Sequence, residues 1–168
     1  MKEKVLIALG SNLGDSAALI HEVFARLEKL SATPLRKSSL WQTTPVDCPP
    51  GSPPFINAAV ALTPLPGETP ETLLAKLQAL EKEFGRRPKV VLNEPRPLDL
   101  DLIAFTGEER SAPELILPHP RAHLRRFVLQ PLSEVAPGFV LPGQSRSVCE
   151  LLQSLDGSEL LTRLPAAQ

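Results

Sequence analysis

A chain of 168 residues, 42% of them hydrophobic and 22% charged, with a formal net charge of −1, has the length and apolar content for one domain with a proper core. It carries no global basic field for holding a nucleic acid, although local clusters at Arg86-Arg87 and from Arg121 to Arg126 can bind a small polyanion. Cys48 and Cys149 make neither a disulfide framework nor a metal-ligand spacing, and the apolar run after Met1-Lys2-Glu3-Lys4 is too brief for a signal peptide or a membrane span, so the expectation is a cytoplasmic protein with reduced thiols.

Val5 to Leu9 reads as a first strand, ending in the turn-rich Gly10-Ser11-Asn12-Leu13-Gly14-Asp15. That loop has neither the Lys-Ser/Thr ending of a P-loop nor the glycine spacing of a dinucleotide fold. Asp15 or Ser16 caps a helix whose apolar stripe is Ala18, Leu19, Val23, Leu27 and Leu30. Arg36 to Thr44 suits a second strand. The proline-rich stretch from Pro45 to Pro54 forbids regular structure and reads as a semi-rigid surface loop of the kind that binds or covers a ligand. Phe55 to Thr63 is the next strand, with Asn57 set among Phe55, Ile56, Ala58 and Ala59. A buried amide needs partners, which an edge, a turn or a ligand can each provide.

Thr69-Pro70-Glu71 is a helix start, with a capping hydroxyl, a proline and an acid in the first turn. Leu73, Leu74, Leu77 and Leu80 continue it to Phe84, and Gly85 stops it. Gln78 and Glu81, three apart, share a face. A basic loop, Arg86-Arg87-Pro88-Lys89, then leads to the segment from Leu98 to Phe105, which is apolar except for Asp99 and Asp101 and reads as a buried strand. Beyond a turn region from Thr106 to Pro113, Leu115 to Leu117 is a short strand. His119-Pro120-Arg121 opens a helix running through Val128 to Leu132, Ser147 to Leu155 forms a last helix, and residues 160–168 are expected to fray. The order is α+β: a ferredoxin-like βαββαβ antiparallel sheet with helices on its face plus C-terminal additions. It is read as a single domain over 1–168 with its core at about 4–137.

Asp99 and Asp101 project from one side of their strand, because side chains alternate. Two adjacent carboxylates repel, and burying them unpaired costs several kcal/mol by rough estimate. A divalent cation relieves the conflict, and oxygen ligands on a strand suit Mg2+; a solvated face with each aspartate paired to an arginine relieves it equally well. Arg96 serves either arrangement, since a guanidinium pairs a carboxylate or clamps a phosphate.

Six segments then occur in order: Gly10-Ser11-Asn12-Leu13-Gly14, Thr43-Thr44-Pro45-Val46, Phe55-Ile56-Asn57-Ala58-Ala59-Val60, Glu81 with Gly85-Arg86, Pro95-Arg96-Pro97-Leu98-Asp99-Leu100-Asp101, and Leu117-Pro118-His119-Pro120-Arg121. Together they resemble the 6-hydroxymethyl-7,8-dihydropterin pyrophosphokinase (HPPK) family of folate biosynthesis, over about Val5 to Pro137. The resemblance implies transfer of diphosphate from ATP, the co-substrate, to the hydroxymethyl oxygen of the dihydropterin, with release of AMP. It implies two Mg2+ ions on Asp99 and Asp101, and phosphate contacts from Arg86 and Arg96, which with the two aspartates form the catalytic set. On the ATP side it adds Gln78, Glu81, Leu102, His119 and Arg125. For the pterin it implies Phe55 and Phe127 as aromatic walls, Asn57 as donor and acceptor at the ring edge, and Thr43, Thr44, Pro45 and Val46 beside it. The expected partners are these small molecules, with no nucleic acid and no membrane, and the protein is expected to be a monomer.

The chain departs from the family pattern at Leu92-Asn93-Glu94, where familiar members carry Arg-Trp-Gly, and at Pro88, which replaces a basic position. A lid arginine and a lid tryptophan are therefore missing, while both aspartates and both arginines of the catalytic set remain. The competing readings are a catalytically weakened ATP- and pterin-binding relative, or another Mg2+-dependent phosphotransferase.

Overall fold

β1 (Val5–Ser11) lies between β4 (Phe55–Leu62) and β5 (Asp99–Phe105) and pairs antiparallel with both. The computed structural model describes residues 4–12, 16–43, 54–85, 98–155 and 161–165. β2 (Arg36–Lys37) and β3 (Trp41–Thr43) pair with the far side of β4, and β8 (Leu161–Arg163) pairs with β3, giving the order β5-β1-β4-β3-β8 with β2 beside β3 on β4. α1 (Ser16–Glu28) joins β1 to β2, and α2 (Pro70–Glu83) joins β4 to β5. Each helix thus links two parallel strands that have an antiparallel strand between them, which is the split βαβ of the expected ferredoxin-like fold.

Both faces of the sheet are covered, which is why its strands read as almost continuous apolar runs. On one face Val5, Ile7, Leu9, Val60 and Leu100 pack with Ile20, Val23, Leu27, Leu73 and Leu77 of the two helices. On the other, Leu6, Ala8, Ala59, Ala61 and Ile103 pack under α3 (Arg126–Val135) and α4 (Val148–Ser154). α2 begins as its sequence predicts: Thr69 and Thr72 form a reciprocal capping box and Pro70 occupies the first turn. Ser147 and Glu150 cap α4 in the same way. No helix among the described residues is long and apolar enough to cross a membrane.

Five details correct the sequence-based expectations. β1 continues past Leu9 to Ser11, because the backbone of Gly10 and Ser11 is paired on β4 to Asn57 and Ile56. The stretch from Arg36 is two short strands, not one. Its register runs Arg36↔Ala61 and Lys37↔Val60 but then Trp41↔Asn57, so Ser38, Ser39 and Leu40 face only Ala58 and Ala59. One extra residue makes this a bulge, whose middle is held by Ser38: its N–H donates to Ala59 O at 2.9 Å, and its Oγ accepts from Ala59 N at 2.8 Å. The turn region after Thr106 contains β6 (Arg110–Ala112), which forms a hairpin with β7 (Leu115–Leu117). The helix opened by His119 is a 3-10 turn (Ala122–Leu124) that breaks at extended Arg125 before α3 starts. Finally, part of the segment expected to fray is ordered. β8 satisfies the outer edge of β3, Leu164 N donates to Leu40 O at 2.8 Å, and the Leu164 side chain packs on the core.

Candidate active site

Asp99, Asp101, Asn57, Thr43 and Phe55 gather at one end of the face that carries α3. Alternation along β5 puts Asp99 and Asp101 on that face, across from Gly10 and Ala8 of β1, with both carboxylate residues half-buried. Asn57 stands on the other flank of Gly10, in register with it on β4. Asn57, Gly10 and Asp99 therefore form one row across three neighbouring strands. Gly10 keeps the middle of that row low, since a Cβ added there would come within 3.4 Å of Asn57 Oδ1. A glycine inside a strand signals close approach of another group, and sequence reading, which ended the strand before Gly10, missed it.

Asn57 is 6% exposed and its Nδ2 donates to Thr43 Oγ1 at 3.1 Å, so the amide is held in one orientation by a hydroxyl that is equally buried. Thr43 reaches it only because of the β2–β3 bulge. Without the extra residue Thr43 would sit on the opposite face of the sheet, since a one-residue slip reverses every side chain. Phe55 begins β4 two residues before Asn57, on the same face and half-buried. Phe127, on the first turn of α3, packs partly on the α3-side core, and the Arg125 guanidinium lies over its ring at 5.5 Å from the centroid.

The expected ATP-side residues collect along the outer edge of β5. Glu81 is 9% exposed at the end of α2, and its Oε2 accepts from Leu100 N at 2.8 Å. Leu100 lies between the two aspartates, so this bond pins the strand at the point from which both carboxylates project. His119 N donates to Ile103 O at 2.9 Å, further along that edge. Its Nδ1 accepts from Arg121 N at 3.3 Å, which places the ring proton on Nε2. Burial, together with Arg125 and Arg121 nearby, holds His119 below the usual histidine range, with Asp99 acting in the opposite sense; the ring is neutral at pH 7. Gln78 is exposed one turn before Glu81. The Leu102 side chain is 4% exposed and belongs to the core under α2, on the face opposite Asp99 and Asp101. The Leu102 main chain lies two residues beyond Leu100 on the same edge. Arg86, Arg96, Thr44, Pro45 and Val46 lie outside the described residues, as does the Leu92-Asn93-Glu94 departure.

Glu81 yields a stability prediction. Glu81→Leu leaves a buried strand N–H without its acceptor and should destabilise the protein by about 1.5–3 kcal/mol. Glu81→Gln, which keeps a carbonyl at that place, should stay within about 1 kcal/mol of the parent in urea denaturation. Equal stability of all three proteins would show that Leu100 N finds another partner.

Three comparisons bear on these residues. Residues 6–137 match the family model of 7,8-dihydro-6-hydroxymethylpterin-pyrophosphokinase (HPPK). The chain is 37% identical over 168 residues to a 2-amino-4-hydroxy-6-hydroxymethyldihydropteridine pyrophosphokinase of Pseudomonas aeruginosa, covering 99% of this chain and 100% of that protein. It is 39% identical over 137 residues to the Bacillus subtilis protein of the same name, covering 80% of this chain and 79% of that one. A solved structure of an HPPK-DHPS in complex with substrates superposes with a TM-score of 0.71 at 11% identity, over 91% of this chain and 44% of that chain, a likeness of fold. Some relatives are far longer: this chain spans 22% of the folic acid synthesis protein fol1 of Pneumocystis carinii.

Proposed function

The chain belongs to the 7,8-dihydro-6-hydroxymethylpterin-pyrophosphokinase family, and from that premise we propose that it transfers diphosphate from ATP to the hydroxymethyl oxygen of 6-hydroxymethyl-7,8-dihydropterin, giving AMP and the pterin diphosphate. The observation that carries the reading is the row Asn57, Gly10, Asp99. Neighbouring strands lie about 4.8 Å apart, so the amide and the carboxylate stand roughly 10 Å from each other across a glycine floor. That span suits a small planar heterocycle read at one end by Asn57, with its hydroxymethyl arm reaching towards the aspartates.

At the pterin end, Thr43 orients the Asn57 amide so that its second N–H and its carbonyl serve the ring edge. Phe55 and Phe127 offer faces for stacking on the ring, and Thr44, Pro45 and Val46 follow Thr43 in the sequence. At the other end, Asp99 and Asp101 fit Mg2+. Both are carboxylates on one face of a strand, and no third His, Cys, Asp or Glu joins them in a metal-holding group among the described residues. Mg2+ characteristically takes one or two carboxylates and completes its shell with water and substrate phosphate. When bound there, Mg2+ neutralises charge building on the oligophosphate and acidifies the attacking hydroxyl, so no protein general base is assigned. Arg86, Arg96 and Arg125 supply cations for the phosphates. Along the β5 edge, neutral His119, Gln78, Glu81 and the Leu102 main chain border the place proposed for the nucleotide.

The test is a product assay with ATP, Mg2+ and 6-hydroxymethyl-7,8-dihydropterin that quantifies AMP and pterin diphosphate together. Equal amounts of the two are expected. ADP in place of AMP would mean attack at the γ-phosphorus, and absence of turnover with pterin still bound would leave a binding module with an altered lid.

A further inference from the structure

Glu134, on the exposed side of α3, is a residue to which neither the sequence nor the family resemblance assigns a role. Its carboxylate accepts three hydrogen bonds, all from the bulge region between β2 and β3. Oε1 receives Trp41 Nε1–H at 2.7 Å and Ser39 N–H at 3.1 Å, and Oε2 receives Ser39 Oγ–H at 2.8 Å. Three donors converging on one surface carboxylate, from a segment more than ninety positions away, fix that segment in place more firmly than the single contact an exposed acid usually makes.

What Glu134 grips is the device that faces the proposed pterin slot. Ser39 is in the bulge, and Trp41 is the first residue after it, in direct register with Asn57. The bulge decides which face Trp41 and Thr43 occupy, and Thr43 in turn holds the Asn57 amide. Ser38, next to Ser39, donates its hydroxyl to Ser39 O at 2.7 Å while accepting from Ala59 N, so the kink is locked from the β4 side as well. Two anchors therefore define the bulge: a buried serine on the sheet and a carboxylate on α3. The same helix carries Phe127 at its start. α3 thus contributes an aromatic wall at one end and, two turns later, the acceptor that fixes the strand opposite.

We infer that Glu134 is a positioning residue for pterin recognition, acting through the Ser39–Trp41 bulge to hold Thr43 and Asn57 in register. The inference rests on the pterin-kinase reading above. It concerns geometry rather than charge, so glutamine should substitute: its single carbonyl can take both Oε1 bonds, and only the Ser39 hydroxyl must find a new orientation.

The experiment measures pterin and ATP affinity by calorimetry for the parent protein, Glu134→Gln, Glu134→Ala and Trp41→Phe, with Mg2+ present. Trp41 is the single tryptophan of the chain, so its emission reports the state of the bulge in the first three proteins. Glu134→Ala should weaken pterin binding about tenfold, as the bulge no longer holds Thr43 and Asn57 in register, and leave ATP affinity within about twofold. Its Trp41 emission should shift to the red. Glu134→Gln should bind pterin like the parent. Trp41→Phe, which keeps the ring bulk and deletes one donor, should weaken pterin binding in the same direction and gives an answer even where Glu134→Ala does not fold. Parent-like pterin binding in Glu134→Ala, or in Trp41→Phe where Glu134→Ala does not fold, would overturn the inference. So would equal loss of pterin and ATP, or a Glu134→Gln as impaired as Glu134→Ala. A parent protein that binds no pterin at all would instead overturn the functional reading beneath it.

Discussion

Asp101→Asn should lower diphosphate transfer by about a thousandfold or more, roughly 4 kcal/mol of transition-state stabilisation, while the protein remains folded. Asn keeps the shape and one oxygen of the carboxylate but removes the charge that holds a divalent cation. Asp99→Asn should act alike, since both side chains project from the same face of β5 and the β1 residues across from them, Gly10 and Ala8, present no charged group that could take over. The fold should survive because these side chains are half-buried at the end of the strand. The neighbours that carry the core, Leu100, Leu102 and Ile103, are 5%, 4% and 0% exposed and are untouched. The measurement is AMP formation beside a urea denaturation curve. EDTA should produce the same loss in the parent, and added Mg2+ should reverse it. Near-normal turnover in either variant would remove the metal assignment.

Asn57→Ala should weaken pterin binding by about 1–3 kcal/mol, roughly five- to 150-fold, with ATP affinity unchanged. The alanine deletes the groups proposed to read the ring edge, and it also strips the buried Thr43 hydroxyl of its donor. Part of the loss should therefore appear as destabilisation of the free protein. A second variant, Asn57→Asp, keeps the size and an acceptor that Thr43 can donate to, but it places a carboxylate in the row already occupied by Asp99 and replaces a donor with a charge. It should bind pterin as poorly as the alanine variant while denaturing more like the parent. Calorimetric titration with pterin separates the two effects. Unchanged affinity in Asn57→Ala would return the residue to a purely structural role.

Local chemistry was legible in the chain where one element decided the outcome. Thr69-Pro70 begins α2 and Ser147 begins α4 because capping is settled within four residues. The alternation of Asp99 and Asp101 between apolar neighbours put both carboxylates on one face of β5, and that holds. The same alternation sends the Leu102 side chain to the α2 core, away from the aspartates. The 3-10 turn before α3 was read as continuous helix because Arg125 has no residue-level signal for its extended backbone.

By itself the sequence determined the βαββαβ order of the core, the starts of α2 and α4, and the placing of two acids on one face of a strand. Each of these follows from short-range periodicity and from groups a few residues apart. Only the tertiary structure decided how distant groups meet. The bulge at Ser38–Leu40 became visible from its register against β4, and it is what turns Thr43 towards Asn57. The sequence puts Glu81 on one helix face with Gln78, and only the fold brings the Leu100 N–H on the edge of β5 against it. Glu134 was an ordinary surface acid until the fold placed Ser39 and Trp41 within reach. The physical reason is that a strand edge or a bulge leaves donors that local sequence cannot satisfy, as at Leu100 N and Ser39 N, and the acceptor that meets them is chosen by packing.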